Sequence, residues 1–158
     1  RNLNLSKISN SSMELIENMG DIIWALNTQN DDLESLIAQI RFFASEFAEN
    51  NQIELVTNIE KIETQKIING EKRRNILLCV KEAFHNIQKH SSANKVHLMI
   101  EYQEILRITI TDNGVFFDIN KVKKGNGLSN MKHRISVIGG KISFTYLDGT
   151  ILQFQIPI

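Results

Sequence analysis

A chain of 158 residues is long enough for one good core with a small appendage. Its 18 Lys and Arg balance 18 Asp and Glu, which argues against a broad nucleic-acid or membrane-surface footprint, and 42% hydrophobic with 23% charged residues is ordinary globular composition. The single cysteine, Cys79, excludes an internal disulfide, and no apolar run reaches the length of a bilayer span. No signal peptide is visible and the chain opens at Arg1, so it is expected to be a piece of a longer protein that could carry a membrane anchor elsewhere.

The first element expected is a helical stalk of about 28 residues. Leu5, Ile8, Ser12, Leu15, Met19, Ile22 and Leu26 step by 3, 4, 3, 4, 3 and 4, a heptad seam with one weak position at Ser12. Such a seam wants a partner, either another copy or a preceding segment; otherwise the helix lies on the globular body. Asn30 and Asp31 read as the N-cap region of a second helix with the apolar face Leu33, Leu36, Ile37, Ile40, Ala44 and Phe47, ended by Asn50-Asn51. Ile53, Leu55, Thr57 and Ile59 alternate as a strand.

The segment 72–90 predicts a helix with two stripes. Ile76, Leu77, Val80, Ala83, Phe84 and Ile87 form an apolar face, with Cys79 on its flank as a packing residue. Glu82, Asn86 and Lys89 fall at i, i+4 and i+7, within roughly 60° of one another, where a solvated face is the ordinary alternative. Two strands follow, around Val96, Leu98 and Ile100 and around Leu106, Ile108 and Ile110, then a loop-like region 113–127. Leu128, Met131, Ile135 and Ile138 mark a helix closed by Gly139-Gly140, and strands 141–147 and 150–157 meet at a tight Asp148-Gly149 turn. The expected class is α+β: a two-layer sandwich of helices on one face of a mixed, mostly antiparallel sheet, preceded by the stalk.

Strand parity aims Asp112 at the buried side with Leu106, Ile108 and Ile110, and Thr150 shares the buried parity of Leu152, Phe154 and Ile156. A buried carboxylate needs donors, which a purine amine or turn amides would supply. Gly114 would let a flat ring approach the backbone, or simply serve a turn. Gly125-Asn126-Gly127 opens a helix whose free N–H groups suit phosphate, a weak signal by itself. Glu82 and Asn86 offer hard oxygens a turn apart, as Mg²⁺ prefers, and Lys89 could neutralise phosphate.

These residues resemble the ATP-binding domain of sensor histidine kinases, the GHKL class of ATPases. Lys81 to His90 is similar to the family's asparagine box, Asp112-Asn113-Gly114 to its first glycine box, Gly125 to Met131 with Arg134 to its second, and Gly149-Thr150 to its closing motif. Met19 to Asn27 resembles the end of the dimerisation bundle in the short-lid subgroup related to nitrate-sensing and lipid-thermosensing kinases. The resemblance implies a bundle remnant at 1–28 and a catalytic domain at 29–158. It implies ATP and Mg²⁺ as ligands, with Asp112 and Thr150 on adenine and Asn86 and Glu82 on the metal. Glu82 would also activate the attacking histidine, Lys89 with Gly125, Gly127 and Leu128 would hold phosphates, and Gly114 and His90 would support the site. The implied chemistry is in-line transfer of the γ-phosphoryl group to a histidine and onward to an aspartate of a response-regulator receiver domain. Implied too are a homodimer through the helical bundle, a cytoplasmic location and a membrane-sensor parent.

Two departures stand out. Phe116 occupies the place of a second glycine and could narrow the nucleotide mouth. The four histidines are His85, His90, His97 and His133, none on the stalk, so autophosphorylation of this stretch alone is not expected. His85 and His90 read as solvated or structural, Trp24 as a packing anchor, and Arg134 as an ion-pair partner before a phosphate contact. The alternative function is a non-catalytic dimerisation scaffold with a decayed site. An anti-sigma-type serine kinase or a chaperone or topoisomerase ATPase would share the fold but not the stalk.

Overall fold

The computed structural model describes residues 2–62, 64–115 and 126–158, with the side chains of 2 and 3 left aside. Its helices are α1 (Asn2–Leu26), α2 (Leu33–Asn50), α3 (Gly70–Asn86) and α4 (Gly127–Val137). Its strands are β1 (Glu54–Ile59), β2 (Lys95–Gln103), β3 (Ile105–Asp112), β4 (Lys141–Tyr146) and β5 (Thr150–Pro157). The five strands form one sheet in the order β1-β2-β3-β5-β4, with β1 and β2 parallel and the other pairs antiparallel. This is the expected mixed, mostly antiparallel α+β sandwich.

Period-2 alternation builds the sheet's inner face. Val96, Leu98 and Ile100 of β2, Leu106, Ile108 and Ile110 of β3, and Leu152, Phe154 and Ile156 of β5 are all buried. Against them pack Leu33, Leu36, Ile40, Ala44 and Phe47 of α2, Ile76, Leu77, Val80 and Phe84 of α3, and Met131 and Ile135 of α4. Phe84 takes the edge-to-face arrangement with both Phe43 (5.7 Å) and Phe47 (5.4 Å) that aromatic quadrupoles favour.

Helix ends follow local chemistry, with two shifts from expectation. The cap of α2 is Asp32, one residue beyond the expected Asn30-Asp31. Its Oδ1 accepts the Ser35 N–H at 2.7 Å, because a 3₁₀ turn at Thr28–Asn30, capped by Asn27, uses the preceding residues. The expected helix 72–90 is α-helical only to Asn86 and then widens into a π-helical turn, Ile87–Ser91, ended by Ser92 at φ 52°. Glu82 and Asn86 therefore keep their common face, whereas Lys89 lies where the helix turns more slowly per residue. At the end of α4, Gly139 at φ +77° lets the Gly140 N–H reach the Ile135 carbonyl at 2.9 Å, closing the helix as expected.

The stalk meets the body only at its end. Residues 4–20 are exposed all round, so the heptad residues Leu5, Ile8, Leu15 and Met19 project into solvent, and Leu26 is 75% exposed. Contact begins at buried Asp21, whose two carboxylate oxygens accept from Lys81 Nζ at 2.8 and 2.9 Å. Arg73, fully buried on α3, completes the joint. Its guanidinium lies 5.0 Å from the Trp24 ring and donates to the carbonyls of Trp24, Ala25 and Asn27 and to Asp31 Oδ1. These carbonyls belong to the last turn of α1 and the residue just beyond it, where helix geometry leaves acceptors without intrahelical donors and favours a cation. Trp24 is the junction anchor expected of it.

Candidate nucleotide site

Four elements converge at one end of the sheet. β3 delivers Asp112, β5 delivers Thr150, α3 delivers Ala83 and Asn86, and the π turn delivers Ile87; with Ile110, Met131, Phe144 and Leu152 they line one cavity. Asp112 and Thr150 follow the last pair of the β3–β5 ladder, Thr111 with Ile151, so they stand opposite one another. The hairpin turn makes this possible. Gly149 sits at φ +141° so close to the Asp112 carbonyl that any Cβ there would overlap it.

Asp112 is only 3% exposed, as parity predicted. Burial pushes its carboxyl above the usual aspartate range, against the opposing Gly114 N–H, the hydroxyls of Ser91 and Thr150, and the Thr150 N–H. The Gly114 N–H donates to Oδ1 at 2.8 Å. Thr150 Oγ1 lies near enough to favour the carboxylate, but among the described residues it makes no formed hydrogen bond and is a buried polar atom without a partner. A buried acceptor beside an unpartnered hydroxyl is the donor–acceptor pair that a base edge carrying an amine would satisfy. The cavity volume is about 10 Å³, room for about one water. A planar base enters only if the walls part.

The other expected site residues fall out as follows. Asn86 lines the cavity. Glu82, half-buried, lies with its carboxylate against Gly127, the first residue of α4, where a Cβ would collide with Oε1. Gly114 is required by a close approach, but to Ser91: a Cβ would overlap the Ser91 carbonyl, to which the Val115 N–H donates at 2.8 Å. Lys89 is exposed and His90 half-buried on the π turn, neither among the residues lining the cavity, and Leu128 is half-buried against the core. Gly125 and Phe116 lie outside the described residues. Arg134 departs from the ion-pair expectation: among the described residues it has no carboxylate partner, and its Nη1 donates to Asn75 Oδ1 at 3.2 Å.

Ser91 and Phe144 were not singled out in the sequence, since a serine in a helix-ending run and an aromatic on an edge strand carry no signal of their own. Cys79 is buried, as expected, and burial pushes its thiol up to about 12. Iodoacetamide is therefore expected to leave the native chain unmodified at pH 8 and to alkylate it fully in denaturant, as read by mass spectrometry. Prompt native alkylation would overturn this burial. His85 packs on Phe43 and Phe47, and desolvation lowers its pKa despite the raising influence of Glu82, so it stays neutral at neutral pH. That fits a structural residue.

No protein-family model matches the chain. The histidine-protein kinase/phosphatase DegS of Brevibacillus brevis is 39% identical over 83 residues, 50% of this chain and 22% of its own length. The sensor histidine kinase DesK of Bacillus subtilis is 37% identical over 87 residues, 52% of this chain and 23% of its own. The histidine kinase domain of the Erythrobacter litoralis blue-light activated kinase superposes with a TM-score of 0.65 at 21% identity, covering 77% of this chain and 60% of that one. The match thus spans less than a quarter of the length of these two sequence relatives. Among the described residues no helix is long and apolar enough to cross a membrane, and no three His, Cys, Asp or Glu side chains cluster as a metal site.

Proposed function

We propose that the chain binds ATP and acts as the catalytic domain of a sensor histidine kinase; its similarity in sequence to two sensor kinases and its fold support the reading. The observation that carries the reading is the buried Asp112–Thr150 pair, a carboxylate acceptor beside an unpartnered hydroxyl. Asp112 takes the adenine amine, with Thr150 assisting. Asn86 and Glu82 hold Mg²⁺, which supplies charge neutralisation of the phosphates; a set of two protein oxygens suits an ion that keeps waters and phosphate ligands. Glu82 orients the incoming histidine and accepts its proton, while Lys89, Gly127 and Gly125 hold phosphate oxygens, Leu128 seats the start of α4, and Gly114 and His90 support the site. The γ-phosphoryl group passes in line to the histidine nitrogen, a reaction in which positioning and charge neutralisation do most of the catalysis.

The acceptor histidine comes from outside α1, since His85, His90, His97 and His133 lie on α3, the π turn, β2 and α4. The phosphohistidine then serves a response-regulator aspartate. The exposed apolar seam of α1 supports a homodimer through a helical bundle at 1–28, with 29–158 as the catalytic domain. A cytoplasmic domain of a membrane-bound parent is the matching location. One observation favours the scaffold reading instead: the cavity of about 10 Å³ must open before a base can enter.

Calorimetric titration of ATP with and without Mg²⁺ separates the two. Binding in the micromolar range, about −8 kcal/mol, that weakens about tenfold or more without Mg²⁺ or in Asn86→Ala supports the kinase reading. No binding under any condition would leave the scaffold.

A further inference from the structure

Away from the nucleotide cavity, the outward faces of α3 and α4 form a second depression of about 390 Å³, lined by Arg74, Asn75, Asn130, His133 and Arg134, with Glu71 at its wall. None of these residues lines the Asp112 cavity. The chain is formally neutral, yet this groove gathers two guanidiniums and an imidazole against one carboxylate.

The pairing inside it is incomplete. Arg134 Nη1 is held by Asn75 Oδ1 at 3.2 Å, and the Asn75 side-chain amide donates back to the Glu71 carbonyl at 3.1 Å, so Arg134 is oriented by neutral groups. Arg74 Nε is buried with no hydrogen-bond partner among the described residues. Among the described residues neither guanidinium has a carboxylate within 4.0 Å, Glu71 included. Two forks of donors kept in one groove without a counter-ion repel each other, and a buried N–H without an acceptor costs free energy. An oxyanion in the groove relieves the repulsion, because the exposed ends of the guanidiniums match phosphate geometry.

We propose that the α3–α4 groove is an oxyanion site for a phosphate-type anion, clamped between Arg74 and Arg134 and distinct from the nucleotide cavity. Asn130 and His133 border the groove and supply further polar contacts, and the open mouth admits a phosphoryl group that is free or carried on a larger molecule. The proposal stands independently of the kinase reading.

The test follows the side-chain Nε–Hε NMR signals of the full ¹⁵N-labelled chain during titration with inorganic phosphate at constant ionic strength. A parallel arm uses ADP in the Asp112→Ala chain. The Arg74 and Arg134 signals, assigned by their loss in Arg74→Gln and Arg134→Gln, are expected to shift together and saturate. Each substitution is expected to weaken the response of the other arginine about tenfold or more. Saturation by phosphate alone identifies the free anion, and saturation by ADP as well identifies a phosphoryl carried on another molecule. Shifts that match a chloride control, or midpoints unchanged in both variants, would overturn the site. Should one variant lose its dispersed amide spectrum, the other reads the same coupling from the remaining arginine.

Discussion

Asp112→Ala is expected to weaken ATP and ADP binding by about 10- to 150-fold, the range for losing a hydrogen bond to a charged group. The fold should survive. Asp112 sits in a buried site, and its folded pKa lies above the ordinary value chiefly because of desolvation. Between the unfolded and folded pKa values the native chain holds the extra proton, so stability falls as pH rises through that window. Ionised Asp112 is thus a cost to folding that a ligand's donor would offset. Asp112→Asn keeps an acceptor for the Gly114 N–H and is expected to match or exceed the parent in stability while still losing nucleotide affinity. Calorimetry with denaturation controls decides it. If Asp112→Ala bound ATP as tightly as the parent, the adenine assignment would be wrong even though the fold neighbours remain.

Arg73→Ala is expected to cost about 3–5 kcal/mol, the penalty for removing one partner of a buried ionic network, or a fall in Tm of roughly 6 to 20 °C. The guanidinium serves Trp24, Ala25 and Asn27 carbonyls, the Asp31 carboxylate and the face of the Trp24 indole at once. Gly70 matters beside it, because a Cβ there would overlap the Ala25 carbonyl and push α3 off the end of α1. Arg73→Lys retains charge but loses the fork, so it should fall between the parent and alanine. A urea titration giving less than about 1 kcal/mol for Arg73→Ala would mean that these carbonyls are simply rehydrated. The Lys81–Asp21 pair, half a helix away, would then be the joint's main tie.

Much of the fold was legible because its elements are periodic. The inner faces of β2, β3 and β5 and of α2 are buried at the residues that alternation and the 3.6 period indicate. The side-chain burial of Asp112 and Thr150 also followed from parity, which propagates along a strand whatever the strand packs against. Less legible were features that depend on two distant segments. The 87–91 turn is π-helical where an α-helix was expected, and its last residue, Ser91, meets a distant segment, its carbonyl accepting the Val115 N–H. Arg73 carries no signal of its own in the sequence, and it is a buried clasp because the end of α1 lies over it.

Local patterns carry the layers and the inward faces of β2, β3 and β5, because backbone periodicity and turn chemistry are local; on the edge strand β1 the expected alternation fails, with Thr57 exposed and Val56 half-buried. Only the tertiary structure decided which groups meet. It seated Glu82 on the first residue of α4, placed Gly149 against the Asp112 carbonyl and left the Thr150 hydroxyl without a partner. It also put Arg74 and Arg134 in one groove where, among the described residues, no carboxylate lies within 4.0 Å of either. Contacts between segments tens of residues apart depend on packing angles and excluded volume, which no local pattern encodes.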